Sequence, residues 1–176
     1  QMCIRDSLKR KKADAVITDI PRLPIGILTA DCAPILIYDK QKKMVAAIHA
    51  GWKGAYKGII SKVINFMIKK GCEKKNMIAV IGPCIAQKSY NVKEDFKKKF
   101  LKKDKRNKVF FRKRKNLIYF DLSKYVKLQL KLMKITNLET INIDTFPKKN
   151  NFFSARRSLH LNHDDYGRNI SLIMIN

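Results

Sequence analysis

The chain is written in two hydrophobic rhythms. Its first third keeps a period of about two: ADAVIT (13–18) and IGILT (25–29) are short apolar runs separated by Pro21 and Pro24, and APILIYD and MVAAIHA flank the polar stretch Lys40 to Lys43. Runs of this length predict strands, and the last two predict a hairpin. With Asp39 facing Met44 across the turn, counting back along both arms sets Pro34 opposite His49, and Cys32 lies two residues beyond that pair. Diagonal neighbours across a sheet have Cβ atoms about 7–8 Å apart, a gap that side chains can close. The thiol of Cys32 and the imidazole of His49 are therefore candidates to share a metal ion or a proton. Ala30, Ala50, Gly51 and Gly54 are small and leave room for a ligand near the backbone.

After Gly54 the period lengthens to three and four. Ile60, Val63, Ile64 and Met67 form the apolar stripe of a helix that should end at Gly71 in a left-handed cap. Its N-terminus follows AGWKG, so its unpaired N–H groups are expected to face the Cys/His pair and favour an anion such as phosphate. Met77 to Ile81 predicts a strand, 92–101 a lysine-coated helix, then a polar linker, and Leu117 to Phe120 another strand. Asp121 can cap a helix whose apolar face is Tyr125, Leu128, Leu132 and Met133, and strands are expected over 140–146 and 170–175. This irregular alternation, with at least one hairpin, predicts a mixed α+β architecture rather than a doubly wound parallel sheet.

Composition narrows the function classes. A chain of 176 residues, 45% hydrophobic and 30% charged, suits one globular domain. No apolar run approaches the roughly 20 residues that span a bilayer, and the N-terminus lacks the apolar core of a signal peptide, so a soluble cytoplasmic protein without a membrane partner is expected. Residues 1–7, QMCIRDS, have no periodicity and read as a foreign or misassembled leader, with the domain proper over 8–176. The 39 Lys+Arg against 14 Asp+Glu give a formal charge of +25, which attracts any polyanion. The excess is mostly Lys, spread along the chain beside Asn and Ile, and fits a codon bias, so nucleic acid is not the expected partner. In the densest segment, Lys97 to Lys115, Phe100, Phe110 and Phe111 either stack on bases or form the buried face of a charged helix. Cys3, Cys32, Cys72 and Cys84 form no CxxC pair, which argues against a structural zinc cluster or disulfide scaffold, and Cys72 and Cys84 read as structural.

The blocks ADCAPILIYD, AAIHAGWKG, IGPCIAQKSYNV, FFSARR and YGRNISLI occur in that order. Together they closely resemble the YfiH/laccase-domain family (DUF152), whose members are described as purine nucleoside phosphorylases of the laccase-domain type and as peptidoglycan editing factors. The likeness runs from about Ala13 to Ile175. It implies a four-layer α/β/β/α sandwich with mixed sheets, a fold shared with a cysteine–histidine toxin hydrolase. It also implies phosphorolysis of adenosine, inosine and methylthioadenosine, with adenosine deamination, zinc or copper as metal and phosphate as co-substrate. The family's cysteine ligand falls on Cys32 and one histidine ligand on His49. The remaining histidine belongs to a QVHG-like block that precedes the equivalent of Ala13 and is absent here, so the domain reads as lacking its N-terminal part. His160 and His163 fall in a loop between FFSARR and YGRN. A multicopper polyphenol oxidase fits poorly, because such centres need several imidazoles.

Cys32, His49 and Asp31 are thus the catalytic candidates, with Asp31 orienting His49 or managing a proton. Trp52 either stacks on a purine or packs in the core. Arg157 and Arg168 either bind phosphate through a guanidinium fork or pair with Asp144 or Asp165. Two other classes remain in view: a metal-free hydrolase of peptidoglycan precursors with Cys32 as nucleophile and His49 as base, and a basic nucleic-acid-binding module.

Overall fold

A computed structural model describes residues 13–163 and 165–176, and the leader expected at 1–7, with Cys3, lies outside the described residues. In chain order the elements are β1 (Ala15–Thr18), β2 (Ile25–Thr29), β3 (Ala33–Asp39), β4 (Met44–Ala50), α1 (Trp52–Tyr56), α2 (Ile59–Lys69) and β5 (Met77–Ile81). They continue as β6 (Asn91–Val92), α3 (Glu94–Lys103), β7 (Phe111–Arg114), β8 (Leu117–Phe120), α4 (Leu122–Leu132), β9 (Asn137–Thr140), α5 (Ala155–His160) and β10 (Asn169–Ile173). Among these residues no helix is long and apolar enough to cross a membrane.

The fold is mixed α+β with several sheets, one of them mixed. The largest has the order β1-β4-β3-β5-β9, antiparallel throughout except for the parallel β5–β9 pair. The central hairpin has the expected register: Asp39 pairs with Met44 and Pro34 with His49. Asp39 fixes its turn. Its fully buried carboxylate accepts from the backbone N–H groups of Gln41, Lys42 and Glu73 at 2.9–3.0 Å, tying the turn to the chain that follows α2.

Each face of this sheet buries a different layer. Ile35, Ile37, Ala46 and Ile48 pack under the apolar stripe of α2, made of Ile60, Val63, Ile64 and Met67, and against α4. On the other face Val45 and Ala47 meet Ile25 and Ile27 of the antiparallel β2–β10 ribbon, whose outer face carries exposed Leu28, Ile170 and Leu172. The third sheet, β6-β8-β7, closes over a cluster built on Phe100, Phe110 and Phe120, all at most 1% exposed. Full burial of such a ring contributes about 1.5–3 kcal/mol. Phe100 and Phe110 are therefore the buried side of a charged helix and its following turn, and Phe111, half-buried at the start of β7, packs against Phe100 and Phe120.

Four expectations shift. The helix after Gly54 is two helices, because Gly58 adopts a left-handed φ of +81° between α1 and α2. The first turn of α2 consequently lines a cavity of about 540 Å³ shared with Tyr125 and Leu128, away from Cys32. The buried face of α4 is Leu122, Tyr125, Val126 and Leu130, while Leu128 and Leu132 lie on the open side of that cavity. The supposed linker before β8 contains β7, joined by a tight turn in which Lys115 and Asn116 both have positive φ, as the favoured two-residue hairpin turns require. Finally, the strand expected over 140–146 lies earlier, at β9, and only an isolated bridge between Cys84 and Asp144 continues beside it.

Candidate active site

The hairpin register carries Cys32 and His49 to one end of the large sheet. His49 ends β4 one step before Ala50, and Cys32 sits in the turn that connects β2 to β3. Gly51 measures their approach. A Cβ built on it would lie 2.9 Å from Cys32 Sγ and 3.7 Å from His49 Nε2, so both atoms converge on one point that only glycine leaves clear.

The turn that presents Cys32 is held by Asp31. This residue is buried, with a left-handed φ of +77°, an unusual conformation for a non-glycine residue. Its carboxylate accepts from Thr145 Oγ1 at 2.7 Å, Ser154 Oγ at 2.9 Å and the backbone N–H of Arg156 at 2.6 Å. Its carbonyl accepts from the N–H of Ile85 at 3.0 Å. Asp31 therefore faces the C-terminal segment and not His49. The group beside the imidazole is Asp14, which sequence reasoning missed: its carboxylate stands 3.7 Å from Nδ1, and its backbone carbonyl accepts the His49 N–H at 2.8 Å. An anion on the Nδ1 side favours the tautomer that leaves the Nε2 lone pair directed at Cys32.

Burial sets the protonation of both groups. The Cys32 thiol is pushed up to about 11, first by burial and then by the negative charges of Asp31 and Asp14. Burial holds His49 below the ordinary imidazole range, against the opposing pull of Asp14. At neutral pH the resting pair is thus a thiol and a neutral imidazole. Zinc and copper take thiolate and imidazole donors, and a bound metal ion deprotonates a coordinating thiol. Cys32 and His49 supply one donor of each kind on a common point, so they fit as two ligands. A catalytic zinc takes three protein ligands, and among the described residues no group of three or more His, Cys, Asp or Glu side chains could hold an ion. A third donor would have to come from outside the described residues.

Above Cys32 lies a chamber of about 170 Å³, walled by Trp52, Ile85, Tyr90, Leu122 and Arg156. Trp52, Tyr90 and Arg156 also line an outer groove of about 1000 Å³ that His160 borders. Trp52 packs in the core, its ring 4.8 Å from that of Phe96, and it also lines the chamber. Burial raises Tyr90 far above the ordinary phenol range, so it stays a hydroxyl donor.

The two arginines singled out from the sequence lie elsewhere. Arg157 donates to the backbone carbonyls of Thr145, Phe146 and Phe152, stitching the segment 145–157 together. Arg168 is a surface residue beside Asp165, at 4.0 Å, with its guanidinium over the Tyr166 ring. It is Arg156, the neighbour in the same SARR run, that reaches the chamber. Spacing alone does not separate the two; the only signal is Ser154, which caps α5 through the Arg157 N–H and sets the rotation of the helix.

Comparison with known proteins is consistent across three measures. A model of the family described as multi-copper polyphenol oxidoreductase laccase matches residues 2–176. A Rickettsia conorii protein named purine nucleoside phosphorylase is 41% identical over 161 residues, covering 90% of this chain and 66% of the relative. A Haemophilus influenzae protein of the same name is 32% identical over 149 residues, covering 83% and 60%. Among solved structures, a Neisseria meningitidis DUF152 protein superposes with a TM-score of 0.81 at 28% identity, over 93% of this chain and 65% of that one. The Bacillus licheniformis protein YfiH gives 0.80 at 30% identity, over 93% and 61%. The chain thus spans between 60% and 66% of the length of these relatives.

Proposed function

This chain belongs to the laccase-domain family (DUF152/YfiH), and from that premise we propose that it is a purine nucleoside phosphorylase, built on the Cys32/His49 pair. The substrates proposed are adenosine, inosine and methylthioadenosine, with inorganic phosphate as second substrate and adenosine deamination as a further activity, in the cytoplasm. The observation that carries this reading is the convergence of Cys32 Sγ and His49 Nε2 on one point, beneath a chamber with two aromatic walls.

The residues present divide the work. Cys32 and His49 would hold zinc or copper, and a third donor from outside the described residues would complete the site. When bound, such an ion supplies Lewis acidity and lowers the pKa of coordinated water towards neutrality. Trp52 and Tyr90 offer flat faces on which a purine stacks, and the apolar walls exclude water from the sugar–base bond. Asp14 keeps the His49 ring oriented, and Asp31 holds the turn that carries the sulfur. The metal-free cysteine hydrolase is the weaker reading, because burial keeps the Cys32 thiol protonated and His49 neutral, the opposite of a poised thiolate–imidazolium pair.

The test is product analysis with each nucleoside in the presence and absence of phosphate. Free base and ribose 1-phosphate, or its methylthio analogue, should appear in equal amounts, and Cys32→Ala and His49→Ala should abolish the reaction. Full nucleoside activity in Cys32→Ala overturns the assignment. A covalent thioester on Cys32 would instead establish the hydrolase.

A further inference from the structure

We infer that Arg156 is the anion-binding residue of the Cys32 chamber, and that its anion is the inorganic phosphate of the phosphorolysis proposed above, a reading on which this inference rests. Phosphorolysis forms a bond from a phosphate oxygen to the anomeric carbon while the carbon–nitrogen bond to the base breaks. The electron pair leaves on the base nitrogen, which ends with the proton that phosphate gives up. The phosphate must therefore lie beside the sugar, in the same enclosure as the base.

Among the residues lining the chamber, Arg156 is the one cation. It is fixed at both ends. Its backbone N–H donates to Asp31, the residue before Cys32, so the distance between this side chain and the sulfur is set through a single carboxylate. Its guanidinium lies 5.2 Å from the Tyr90 ring centroid, and Nη1 donates to the backbone and side-chain oxygens of Asn91. The hydrogen bonds found among the described residues use Nη1 alone, which leaves the Nε and Nη2 edge, the bidentate edge that matches a phosphate. The same side chain borders the outer groove, so an anion on it would sit where chamber and groove meet. Asp31 also lines the chamber and its charge opposes an anion there; two hydroxyls and an N–H stabilise that carboxylate, and the Arg156 guanidinium is the group that offsets it.

Trp52 is the only tryptophan of the chain and lines both cavities, and Lys53 and Lys99 also lie over its ring at 5.6 and 5.4 Å, so the Arg156 variants decide whether its emission reports an anion on Arg156 or on those lysines. The experiment titrates the full chain with inorganic phosphate at ionic strength held constant with chloride. Wild type should show a saturable change in Trp52 emission. Arg156→Gln should weaken it at least tenfold, Arg156→Lys should fall between, and Lys113→Gln, on exposed β7, should match wild type. Should Arg156→Gln not fold, as judged by circular dichroism, Arg156→Lys carries the comparison.

An unsaturable wild-type response, or equal affinities in wild type and the Arg156 variants, overturns the inference. So does a response to adenosine monophosphate with none to inorganic phosphate. Phosphorolysis that proceeds with an unaltered phosphate KM in Arg156→Gln rejects this subsite and leaves the proposed function standing. Arg156-dependent phosphate binding without nucleoside turnover does the reverse.

Discussion

Replacing Gly51 with alanine should damage the site far more than the fold. The backbone there has φ −69° and ψ 164°, a conformation any residue adopts, so alanine meets no backbone strain. The new methyl would instead stand 2.9 Å from Cys32 Sγ. Nonbonded heavy atoms settle near about 3.5–4.0 Å, so sulfur and methyl must separate by roughly 0.6–1 Å. Overpacking of this kind costs about 1–3 kcal/mol, offset by about 0.4–1 kcal/mol from the reduced freedom of the unfolded chain. Net destabilisation should stay near or below about 2 kcal/mol, a fall in Tm of about 4–8 °C for a chain of this size. A displacement approaching 1 Å of a reacting group costs about 100-fold in rate. Gly51→Ala should therefore remain folded and lose roughly two orders of magnitude of nucleoside turnover, with weakened zinc binding. Thermal melts, chelator competition and product analysis on one preparation decide the matter. Wild-type turnover and zinc affinity in Gly51→Ala would refute the claim that the two donors share that point.

Three further outcomes follow from the same geometry. Asp31→Ala strands two hydroxyls and an N–H in the interior and should cost about 3 kcal/mol or more in denaturant unfolding, whereas Asp31→Asn, which keeps two acceptor lone pairs, should cost less. Metal-free stability should fall at both ends of the pH scale. Between pH 9.0 and about 11 the unfolded chain releases the Cys32 proton that the folded chain retains, a loss of the order of 2 kcal/mol by which the alkaline limb, to which Cys72 and Cys84 also contribute, should shrink in Cys32→Ala. Below about pH 6.5 the unfolded chain protonates His49 before the folded chain does, and His49→Gln should flatten that acid limb. Asp14→Asn should lower zinc affinity by about tenfold through the loss of the charge beside Nδ1, read by chelator competition, with little change in melting temperature because Asp14 is exposed.

What the sequence discloses follows a physical divide between local and non-local order. The β3–β4 hairpin is legible because alternation and turn length fix its register, and that register alone brings Cys32 near His49. The stripe of α2 is legible for the same reason, a strict period closed by Gly71 at φ +89°. The face of α4 is not: Leu128 and Leu132 match a helical period as well as Val126 and Leu130 do, and the sheet beneath decides which is buried. Arg156 and Arg157 are adjacent and chemically alike, so only the rotation of α5 against Asp31 separates a chamber wall from a backbone stitch. Asp14 and Tyr90 join the site through contacts that skip 35 residues or more along the chain, beyond the reach of spacing rules.

Cobalt(II) titration of the purified chain tests the central claim most directly, because a cysteine thiolate bound to cobalt gives a charge-transfer absorption in the near ultraviolet that no residue type here other than cysteine produces, and substitution tells the four cysteines apart. One cobalt per chain should bring up that band, Cys32→Ala should remove it, and His49→Ala should shift and weaken it. A band that survives both substitutions, or one that follows Cys72 or Cys84 instead, would contradict the convergence of Cys32 and His49 on a single site.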